Sequence, residues 1–392
     1  PDKGLPRTWS DGKNIVWKTP LPGAGASSPV AFGDRIYLTC YSGYGVSRQS
    51  RGDYENLKRH VICLSRQDGR ILWDEAFSSK VPDDHYGDFT NRHGYTSSTP
   101  AVDETGVYVF FGTWGARAYS FAGGLKWERS CGKRSTNFGS ASSPVKFDDL
   151  VILNAAVESQ ALIALDKASG REVWRAPISI GESRSTPLLL RSTGAPQLVY
   201  HFGEAYEGGA AKPSAVGAVD PRNGSPLWQC MSLNANLNPI PVENGGVIYA
   251  IAIRAVAIRA GGRGDVTGTH LLWDIKQGSE VATPVFYEDH LYWANQDGIA
   301  YCVAAKSGDV VYQERLNPSP GPIYASGVIA DGKLYYVSRE NGAYVLPAEP
   351  RFELLAHNTI ETDKSVFNAT PAISRGQLLL RSDNCLYCVG QK

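Results

Sequence analysis

The feature that most constrains this chain is a short pattern that recurs along it. Each copy has an apolar run rich in β-formers, then a glycine, and four positions later an aromatic residue. Such a glycine is typical of a tight hairpin turn, because these turns need a residue that accepts a positive φ. The copies occupy 61–73, 162–174, 216–228 and 300–312. The chain is therefore predicted to be built from repeated hairpins.

A second repeated feature gives the number of units. Each unit opens with small residues, then Pro or Gly, then an apolar run broken by a turn. The eight anchor positions are Pro29, Pro100, Pro144, Pro187, Pro241, Pro284, Gly327 and Pro371. Most steps between them are 43 or 44 residues, and a four-stranded propeller blade takes roughly 40 to 45. We therefore predict an all-β chain, an eight-bladed β-propeller of four-stranded antiparallel blades that forms a single domain over 1–392.

The two ends of the chain are predicted to meet in one blade. The last unit stops after three strands, and 14–23 resembles the outer strand of the third unit at 171–181. An N-terminal strand that completes the last blade would remove an open sheet edge. Six tryptophans begin outer strands at the same place and should pack between blades, since buried aromatics supply much apolar area. They are Trp17, Trp73, Trp127, Trp174, Trp228 and Trp273.

Composition excludes several classes of function. Lys plus Arg and Asp plus Glu both total 39, so no net field favours nucleic acid or an anionic membrane. The most apolar stretch is interrupted by Arg254 and Arg259 and is too short to span a bilayer. Seven cysteines in so long a chain do not indicate a disulfide scaffold. Cys40 and Cys63 could be cross-strand neighbours, but two buried free thiols are the favoured interpretation.

Three long insertions are predicted to lie on one face of the ring. They span 43–59, 80–95 and 203–214, and each joins strands at the same end of its blade. Loops that vary on a rigid repeat scaffold usually form its binding side. We expect this face to bind a protein partner or a small molecule, and we expect a monomer.

Polar residues on this face are the candidate ligand contacts. The position three residues before each anchor should rim the channel, which selects Arg184, Asn238 and Asn368. Trp114, in a loop of the second unit, is the candidate for stacking on a sugar ring. The alternative is that these side chains cap loop backbones and bind water. The full set is Arg184, Asn238, Asn368, Asn137, Asn236, Trp114 and His201.

A metal site and a catalytic nucleophile both lack a recognisable motif. The second insertion offers Asp84, His85, Asp88 and His93 as weak metal candidates. It has neither the ligand pattern of a calcium loop nor the histidine spacing of a zinc protease, so we expect no metal there. The chain contains no GxSxG and no P-loop. No catalytic residue can be named from the sequence.

The repeat resembles a known family. Ala164, Asp166, Gly170 and Trp174 match the A-x-D-x-x-x-G-x-x-x-W signature of the PQQ-like, quinoprotein-type repeat family, and the unit at Ala218–Trp228 matches it again. The resemblance covers essentially the whole chain and implies an eight-bladed propeller. Some members resemble quinoprotein alcohol or glucose dehydrogenases that hold pyrroloquinoline quinone and calcium on the axis. Others resemble the outer-membrane assembly lipoprotein, a scaffold without a cofactor.

Two functions follow from this resemblance. The chain lacks the adjacent Cys-Cys pair of the alcohol dehydrogenases and the CxxCH of haem c. We therefore expect a non-catalytic binding or scaffold propeller that acts outside the cytoplasm, periplasmic or secreted, with an export segment that this sequence does not show. The alternative is a quinone-dependent oxidoreductase, with the quinone and calcium at the channel mouth against Arg184, Asn238 or Asn368.

Overall fold

Eight four-stranded antiparallel sheets follow one another along the chain and form an eight-bladed β-propeller, as predicted. A computed structural model describes residues 3–47, 50–79, 81–87, 90–136, 138–178, 183–192, 194–203, 214–233 and 238–391, and the backbone of 206–207 and 210–211. Most consecutive strands within a blade are joined by short turns, and the longer connections lie in blades 1, 4 and 5.

The first four blades take their strands in chain order. Blade 1 contains β2 (Val30–Phe32), β3 (Arg35–Ser42), β4 (Lys58–Ser65) and β5 (Ile71–Phe77). Blade 2 contains β6 (Ala101–Asp103), β7 (Gly106–Phe110), β8 (Ala116–Tyr119) and β9 (Leu125–Arg129). Blade 3 contains β10 (Val145–Phe147), β11 (Leu150–Ala155), β12 (Ala161–Asp166) and β13 (Glu172–Pro177). Blade 4 contains β14 (Leu188–Leu190), β15 (Gln197–Gly203), β18 (Ser214–Val219) and β19 (Pro226–Leu233), with β16 (Tyr206–Glu207) and β17 (Ala210–Ala211) as a separate hairpin.

The second four blades include the one that joins the chain ends. Blade 5 contains β20 (Val242–Asn244), β21 (Val247–Ile251), β22 (Ala255–Arg259) and β24 (Leu271–Ile275), while β23 (Gly264–Asp265) pairs in parallel with β19. Blade 6 contains β25 (Val285–Tyr287), β26 (His290–Ala294), β27 (Ile299–Ala304) and β28 (Val310–Arg315). Blade 7 contains β29 (Val328–Ala330), β30 (Lys333–Val337), β31 (Ala343–Pro347) and β32 (Ala356–Asn358). Blade 8 contains β33 (Ala372–Ser374), β34 (Gln377–Arg381), β35 (Cys385–Val389) and β1 (Ile15–Pro20).

Helices in the described ranges are single turns within loops. They are α1 (Thr90–His93), α2 (Ala156–Ser159) and α3 (Thr267–His270), with 3₁₀ turns at Tyr54–Asn56 and Gly112–Trp114. None of these is long and apolar enough to cross a membrane. The first insertion ends one residue before β4, so it covers 43–57 rather than the predicted 43–59.

The N-terminal strand closes the ring, as predicted. Strand β1 pairs antiparallel with β35, with Trp17 opposite Cys388 and Pro20 opposite Cys385. The segment before β1 then packs over the seam between blades 7 and 8, where Leu5 and Trp9 are buried. The backbone N–H of Trp9 donates to Asn358 Oδ1 at 2.9 Å. Ring closure therefore depends on this segment as well as on β1, and no sequence pattern indicated that.

The tryptophans of the outer strands pack between blades, as predicted. In five blades the indole N–H donates to a backbone carbonyl in the turn between the last two strands of the next blade. The pairs are Trp17 to Arg66 at 3.3 Å, Trp73 to Phe121 at 2.9 Å, Trp127 to Lys167 at 2.9 Å, Trp174 to Pro221 at 3.1 Å and Trp273 to Ala305 at 2.9 Å. Trp228 instead donates to the side chain of Gln197 in its own blade at 2.7 Å.

The glycine of the repeat lies directly under the tryptophan of the preceding blade. Gly170 has a φ of +68°, and a Cβ placed on it would lie 2.5 Å from Trp127 Cδ2. Gly224 bears the same relation to Trp174, at 2.6 Å. The glycine is therefore needed both for the turn and for the packing of the neighbouring tryptophan ring. The glycine of one copy contacts the preceding blade, whereas the tryptophan of the same copy contacts the next blade.

The cysteines are free thiols. Cys40 lies opposite His60 and Cys63 lies opposite Tyr37, so the two are not cross-strand neighbours. Burial raises the pKa of the Cys40 thiol to about 12. The interpretation as buried free thiols agrees with this arrangement.

Candidate functional site

A cavity of about 720 Å³ lies on the propeller axis, and all eight blades contribute to its wall. The residue three positions before each anchor lines it, so the rim deduced from the repeat is the rim of a real cavity. These residues are Ala26, Ser97, Ala141, Arg184, Asn238, Val281, Tyr324 and Asn368. Arg92 and His93 of the second insertion also line the cavity. The insertion therefore reaches the axis.

A second tier of the wall is a ring of hydroxyl groups. Successive side chains of an extended chain point in opposite directions. The residues one and three positions before each anchor therefore face the axis, and the residue two positions before it is buried. Seven of the eight axial positions are Ser or Thr, and Ile240 is the exception. They are Ser28, Thr99, Ser143, Thr186, Thr283, Ser326 and Thr370.

Six of these hydroxyls connect one blade to the next. Each accepts a hydrogen bond from the backbone N–H of the axial residue in the preceding blade. The pairs are Ser28 to Thr99 at 3.0 Å, Thr99 to Ser143 at 2.9 Å, Ser143 to Thr186 at 2.9 Å, Ile240 to Thr283 at 2.9 Å, Thr283 to Ser326 at 3.0 Å and Ser326 to Thr370 at 2.9 Å. The small residues before each anchor thus have a chemical role beyond fitting a crowded axis.

The three polar rim residues hold loops while facing the cavity. Arg184 donates from Nε to Gly139 O at 3.1 Å, and its guanidinium carbon lies 4.7 Å from the centre of the Phe138 ring. Asn238 donates to Glu280 O at 2.9 Å. Asn368 accepts from Arg339 Nε at 2.8 Å and donates to Arg92 O at 2.9 Å. All three side chains therefore hydrogen-bond to loop backbone, and ligand contact stays a prediction.

The histidine at this rim is held neutral. His93 Nε2 donates to Phe138 O at 2.7 Å, so Nδ1 accepts from the Ser97 hydroxyl at 2.6 Å. Burial, together with the positive charges of Arg184 and Arg339, lowers the pKa of His93 to about 4. Both ring nitrogens are therefore used within the protein, which leaves none for a metal.

The described residues of the first two insertions pack into one unit, which we call the aromatic platform and define as residues 43–47, 50–57, 81–87 and 90–95. Tyr44 contacts Tyr54 edge to face, with ring centres 5.3 Å apart, and also contacts Tyr86 at 6.4 Å. Tyr95 packs against Tyr41 of β3 at 5.3 Å. These contacts bury both loops against blade 1. The platform is therefore a packed structure and not two independent loops.

A buried ion pair fixes the base of the aromatic platform. Arg59 of β4 pairs with Asp83, and both side chains are buried. The guanidinium carbon of Arg59 also lies 4.3 Å from the centre of the Trp114 ring. Trp114 is itself buried and donates its indole N–H to Val81 O at 3.0 Å. The structure therefore places Trp114 inside this packing, with its ring covered, and not at the channel mouth.

His201 is also away from the cavity. It lies in β15 with no exposed surface, and neither ring nitrogen has a hydrogen-bond partner in the described part of the chain. Burial lowers the pKa of His201 to about 3. A fully buried, neutral imidazole presents nothing to a ligand in the channel.

The remaining candidates are dispersed or not described. Asn137, Asn236 and Asp88 lie outside the described residues. The His85 ring packs against Tyr54 at a tilt of 50°, with ring centres 5.0 Å apart. Burial raises the pKa of Asp84. Within the described ranges, no three His, Cys, Asp or Glu side chains converge as metal ligands would.

Sequence reasoning missed one buried acid. Glu158 in α2 is 2% exposed, and neither carboxylate oxygen has a hydrogen-bond partner among the described residues. It lines a small chamber beneath the aromatic platform together with Asp84 and Arg134. Burial raises the pKa of Glu158 to about 7. A single glutamate in a loop has no local pattern that would have identified it.

Comparison with known proteins now gives the family. A family model described as outer membrane protein assembly factor BamB matches residues 10–203, 57–314 and 212–384, which together cover most of the chain. The chain belongs to the BamB family. The PQQ-like resemblance deduced from the repeat is thereby confirmed.

Individual relatives of the BamB type agree with this. The outer membrane protein assembly factor BamB of Alkalilimnicola ehrlichii is 26% identical over 214 residues, which are 52% of this chain and 49% of that protein. The chain thus spans about half the length of this curated relative. BamB from Moraxella catarrhalis has a similar structure, with a TM-score of 0.65 at 12% identity, covering 96% of this chain and 99% of that one.

A quinoprotein is similar in fold as well. A europium-containing methanol dehydrogenase gives a TM-score of 0.61 at 10% identity, covering 94% of this chain and 84% of that chain. At so low an identity the likeness shows the fold alone. The BamB family membership rests on the sequence match and not on this comparison.

Proposed function

We propose that this chain is a non-catalytic scaffold that acts outside the cytoplasm and binds a protein partner through the aromatic platform. The aromatic platform carries this proposal, because a binding surface needs a fixed shape and this one is packed like a small core. BamB proteins are named as outer membrane assembly factors, and a scaffold that holds a partner suits membership of that family. The chain acts as a monomer in this proposal.

Rigidity is the property that supports a binding role. Four tyrosines and the Arg59–Asp83 pair hold the two loops together, so little conformational entropy is lost when a partner docks. Tyr44, Tyr86 and Tyr95 are themselves buried, so they fix the shape of the aromatic platform and do not form its contact surface. Val46 lies in the aromatic platform and is 45% exposed. It therefore offers an accessible position from which to test contact with a partner.

The quinone-dependent alternative receives less support. The axial cavity has room for a small planar ring, and Arg184 and Glu280 both line it. Glu280, however, is the one acidic side chain among the described residues that line it, and no group of three His, Cys, Asp or Glu side chains converges in the described ranges. We assign no step of catalysis to this site.

Site-specific photo-crosslinking tests the scaffold proposal. A photoreactive residue at Val46 should form an adduct with one defined protein in cells that naturally produce the chain, and excess unlabelled chain should compete for it. Leu125 and Val173 are matched controls, because they are 50% and 44% exposed on the outer strands β9 and β13. Equal adducts from all three positions, or none from Val46, would contradict the proposal.

Two further measurements test the proposed location and the proposed lack of catalysis separately. Cell fractionation should recover the chain from the periplasm or medium, and recovery from the cytoplasm would refute the location. Calorimetric titration with pyrroloquinoline quinone and calcium, followed by dye reduction with simple alcohols and sugars, should show no turnover. Saturable binding with turnover would establish the oxidoreductase alternative instead.

A further inference from the structure

We propose that a pocket between blades 7 and 8 binds an organic cation, namely a primary ammonium or guanidinium group on a short aliphatic stem. A free amine and a lysine or arginine side chain of another protein both present this chemistry. Among the described residues, the wall of this pocket has no member in common with the axial cavity or the aromatic platform. The proposal therefore does not depend on the scaffold function.

The pocket has a volume of about 290 Å³ and is enclosed by segments that are distant in the sequence. The N-terminal segment contributes Trp9, the loop between β30 and β31 contributes Glu340 and Asn341, and the connection from β32 to β33 contributes the largest share. The carboxylate of Asp11 accepts the Glu361 N–H at 2.8 Å, which ties the N-terminal segment to that connection. Small-molecule pockets usually measure roughly 300 to 1,000 Å³, so this pocket has room for one group of side-chain size.

One wall of the pocket holds an ionised carboxylate without a counter-ion. Asp363 is half-buried, and burial by itself would raise its pKa, but hydrogen bonds lower that pKa overall. The described groups that donate to this carboxylate are all neutral, so its negative charge is not compensated. They are the Ser365 N–H at 3.0 Å, the Ser365 hydroxyl at 2.6 Å, the Ser382 hydroxyl at 2.5 Å and the Tyr387 hydroxyl at 2.8 Å.

A second carboxylate of the wall, that of Glu340, is exposed, and no residue in the described ranges pairs with it. The neighbouring Arg339 does not compensate its charge, because the Arg339 guanidinium bonds Asn368 at the axial rim. The described wall contains three acids and one lysine, of which Glu361 and Lys364 pair with one another at 2.8 Å. Two negative charges therefore remain, and their field favours a cation in the pocket.

Hydrogen bonding in the wall favours the same ligand. Asn341 Nδ2 donates to Ser319 O at 3.1 Å, and His357 Nε2 donates to Asn341 O at 2.6 Å. Those donors are thus committed to the protein, whereas the side-chain oxygens of Asn341 and Glu340 are left as acceptors. An ammonium group offers three N–H donors and a guanidinium offers five, so either one matches a wall that presents acceptors.

The apolar part of the wall explains why the ligand should carry an aliphatic stem. Phe367 is half-buried, and its ring stacks on Tyr387 with ring centres 6.3 Å apart, which holds it in place. Ile360 and Leu380 also line the pocket and are almost fully buried. Lysine and arginine bury their methylene stems against such surfaces while the charged end stays near water. An inorganic cation would leave this surface uncovered.

Nuclear magnetic resonance of the full chain tests the pocket. The probes are butylammonium and butylguanidinium, with 1-butanol as the neutral counterpart. Trp9 lines the pocket, so its indole N–H resonance is a local reporter, and Trp9→Phe identifies that resonance by removing it. We expect at least one cation to shift it saturably with a Kd below ~10 mM, and 1-butanol to bind at least about tenfold more weakly.

Two peptide probes distinguish the sources of the cation. Acetyl-Gly-Lys-Gly-amide and acetyl-Gly-Arg-Gly-amide carry the same charged groups on a polypeptide backbone. Tighter binding of a peptide than of its free counterpart identifies a protein side chain as the ligand. Tighter binding of the free counterpart identifies a small amine.

A pair of matched variants locates the binding. Glu340→Gln removes one uncompensated charge and an acceptor from the wall, so it should weaken the cation at least about fivefold. Glu314→Gln is the control, because Glu314 is an equally exposed acid on the outer strand β28, away from the pocket, and its loss should change little. Both side chains are exposed, so both variants should fold, which the same spectra confirm.

Three results would overturn the proposal. The first is the absence of a saturable shift of the Trp9 resonance with every cation up to ~100 mM, which corresponds to no useful affinity. The second is 1-butanol binding as well as the cations. The third is equal loss of binding in the Glu340 and Glu314 variants. None of these results bears on crosslinking at Val46, so the two proposals can fail separately.

Discussion

Substitution of Gly170 by alanine tests whether the repeat glycine is required by the neighbouring blade or only by its own turn. Gly170 has a φ of +68°, and its added Cβ would lie 2.5 Å from the Trp127 ring. Gly332 offers a matched control, because its φ is +67° and nothing lies within 4 Å of the added Cβ. Both variants share the backbone strain, and only one meets the ring.

The two contributions can be given rough sizes. A left-handed backbone costs an alanine about 1 to 2 kcal/mol, which both variants should lose from the free energy of unfolding. Overpacking of a well-packed contact typically costs about 1 to 3 kcal/mol more, which only Gly170→Ala should lose. We therefore expect Gly170→Ala to be about 2 to 5 kcal/mol less stable than the wild type, and Gly332→Ala about 1 to 2 kcal/mol less stable.

Equilibrium urea unfolding, followed by tryptophan fluorescence and circular dichroism, measures this difference after reversibility has been checked. A third variant, Trp127→Leu, makes room for the added methyl group. In that background Gly170→Ala should cost only as much as Gly332→Ala. The reasoning fails if Gly170→Ala and Gly332→Ala are equally destabilising within ~0.5 kcal/mol, or if the Trp127 variant gives no relief.

Three further predictions concern the ring and two buried groups. Thr283→Val leaves the Ile240 N–H without its acceptor and should lower the free energy of unfolding by about 1 to 3 kcal/mol in the same urea assay. Ile240→Thr keeps that hydrogen bond and should not lower it. Equal losses in the two variants would show that the hydroxyl is not the cause. Burial raises the pKa of Glu158 to about 7, so the folded protein holds a proton that the unfolded chain releases near pH 4.5. The free energy of unfolding of the wild type should therefore fall relative to that of Glu158→Gln as the pH rises from about 4.5 to 7, by roughly 3 kcal/mol in total. A constant difference between the two proteins across that range would refute this prediction. Burial lowers the pKa of His201 to about 3, so the wild type should lose stability relative to His201→Leu as the pH falls from 6.5 toward 3. Thermal unfolding at several pH values measures the difference in stability between the two proteins, and a difference that does not grow on acidification would contradict the prediction.

Features that repeat along the chain could be predicted from the sequence. The anchors, the glycines and the outer-strand tryptophans recur at the period of a four-stranded blade, in segments rich in β-formers. The number of blades and the closure of the ring could therefore be predicted. All eight rim positions line the cavity because each repeats the same local geometry. Alternation along an extended strand then places every second side chain on the axis.

Features that depend on one particular neighbour could not be predicted. The contact of Tyr44 with Tyr86 joins loops 42 positions apart, and no spacing rule connects them. Burial of Trp114 and His201 likewise depends on what folds over them, since the sequence gives their polarity but not their surroundings. The burial of the Glu158 carboxylate has the same origin.

The sequence by itself thus determined the periodic part of this protein, namely the blades, their number and the residues that face the axis. A repeat is a one-dimensional property, because each unit contacts its neighbours in the same way. Only the tertiary structure decided which loops join, which polar groups lose water and which hydroxyls connect neighbouring blades. Those outcomes arise where distant segments meet, and they depend on atomic distances that no local pattern encodes.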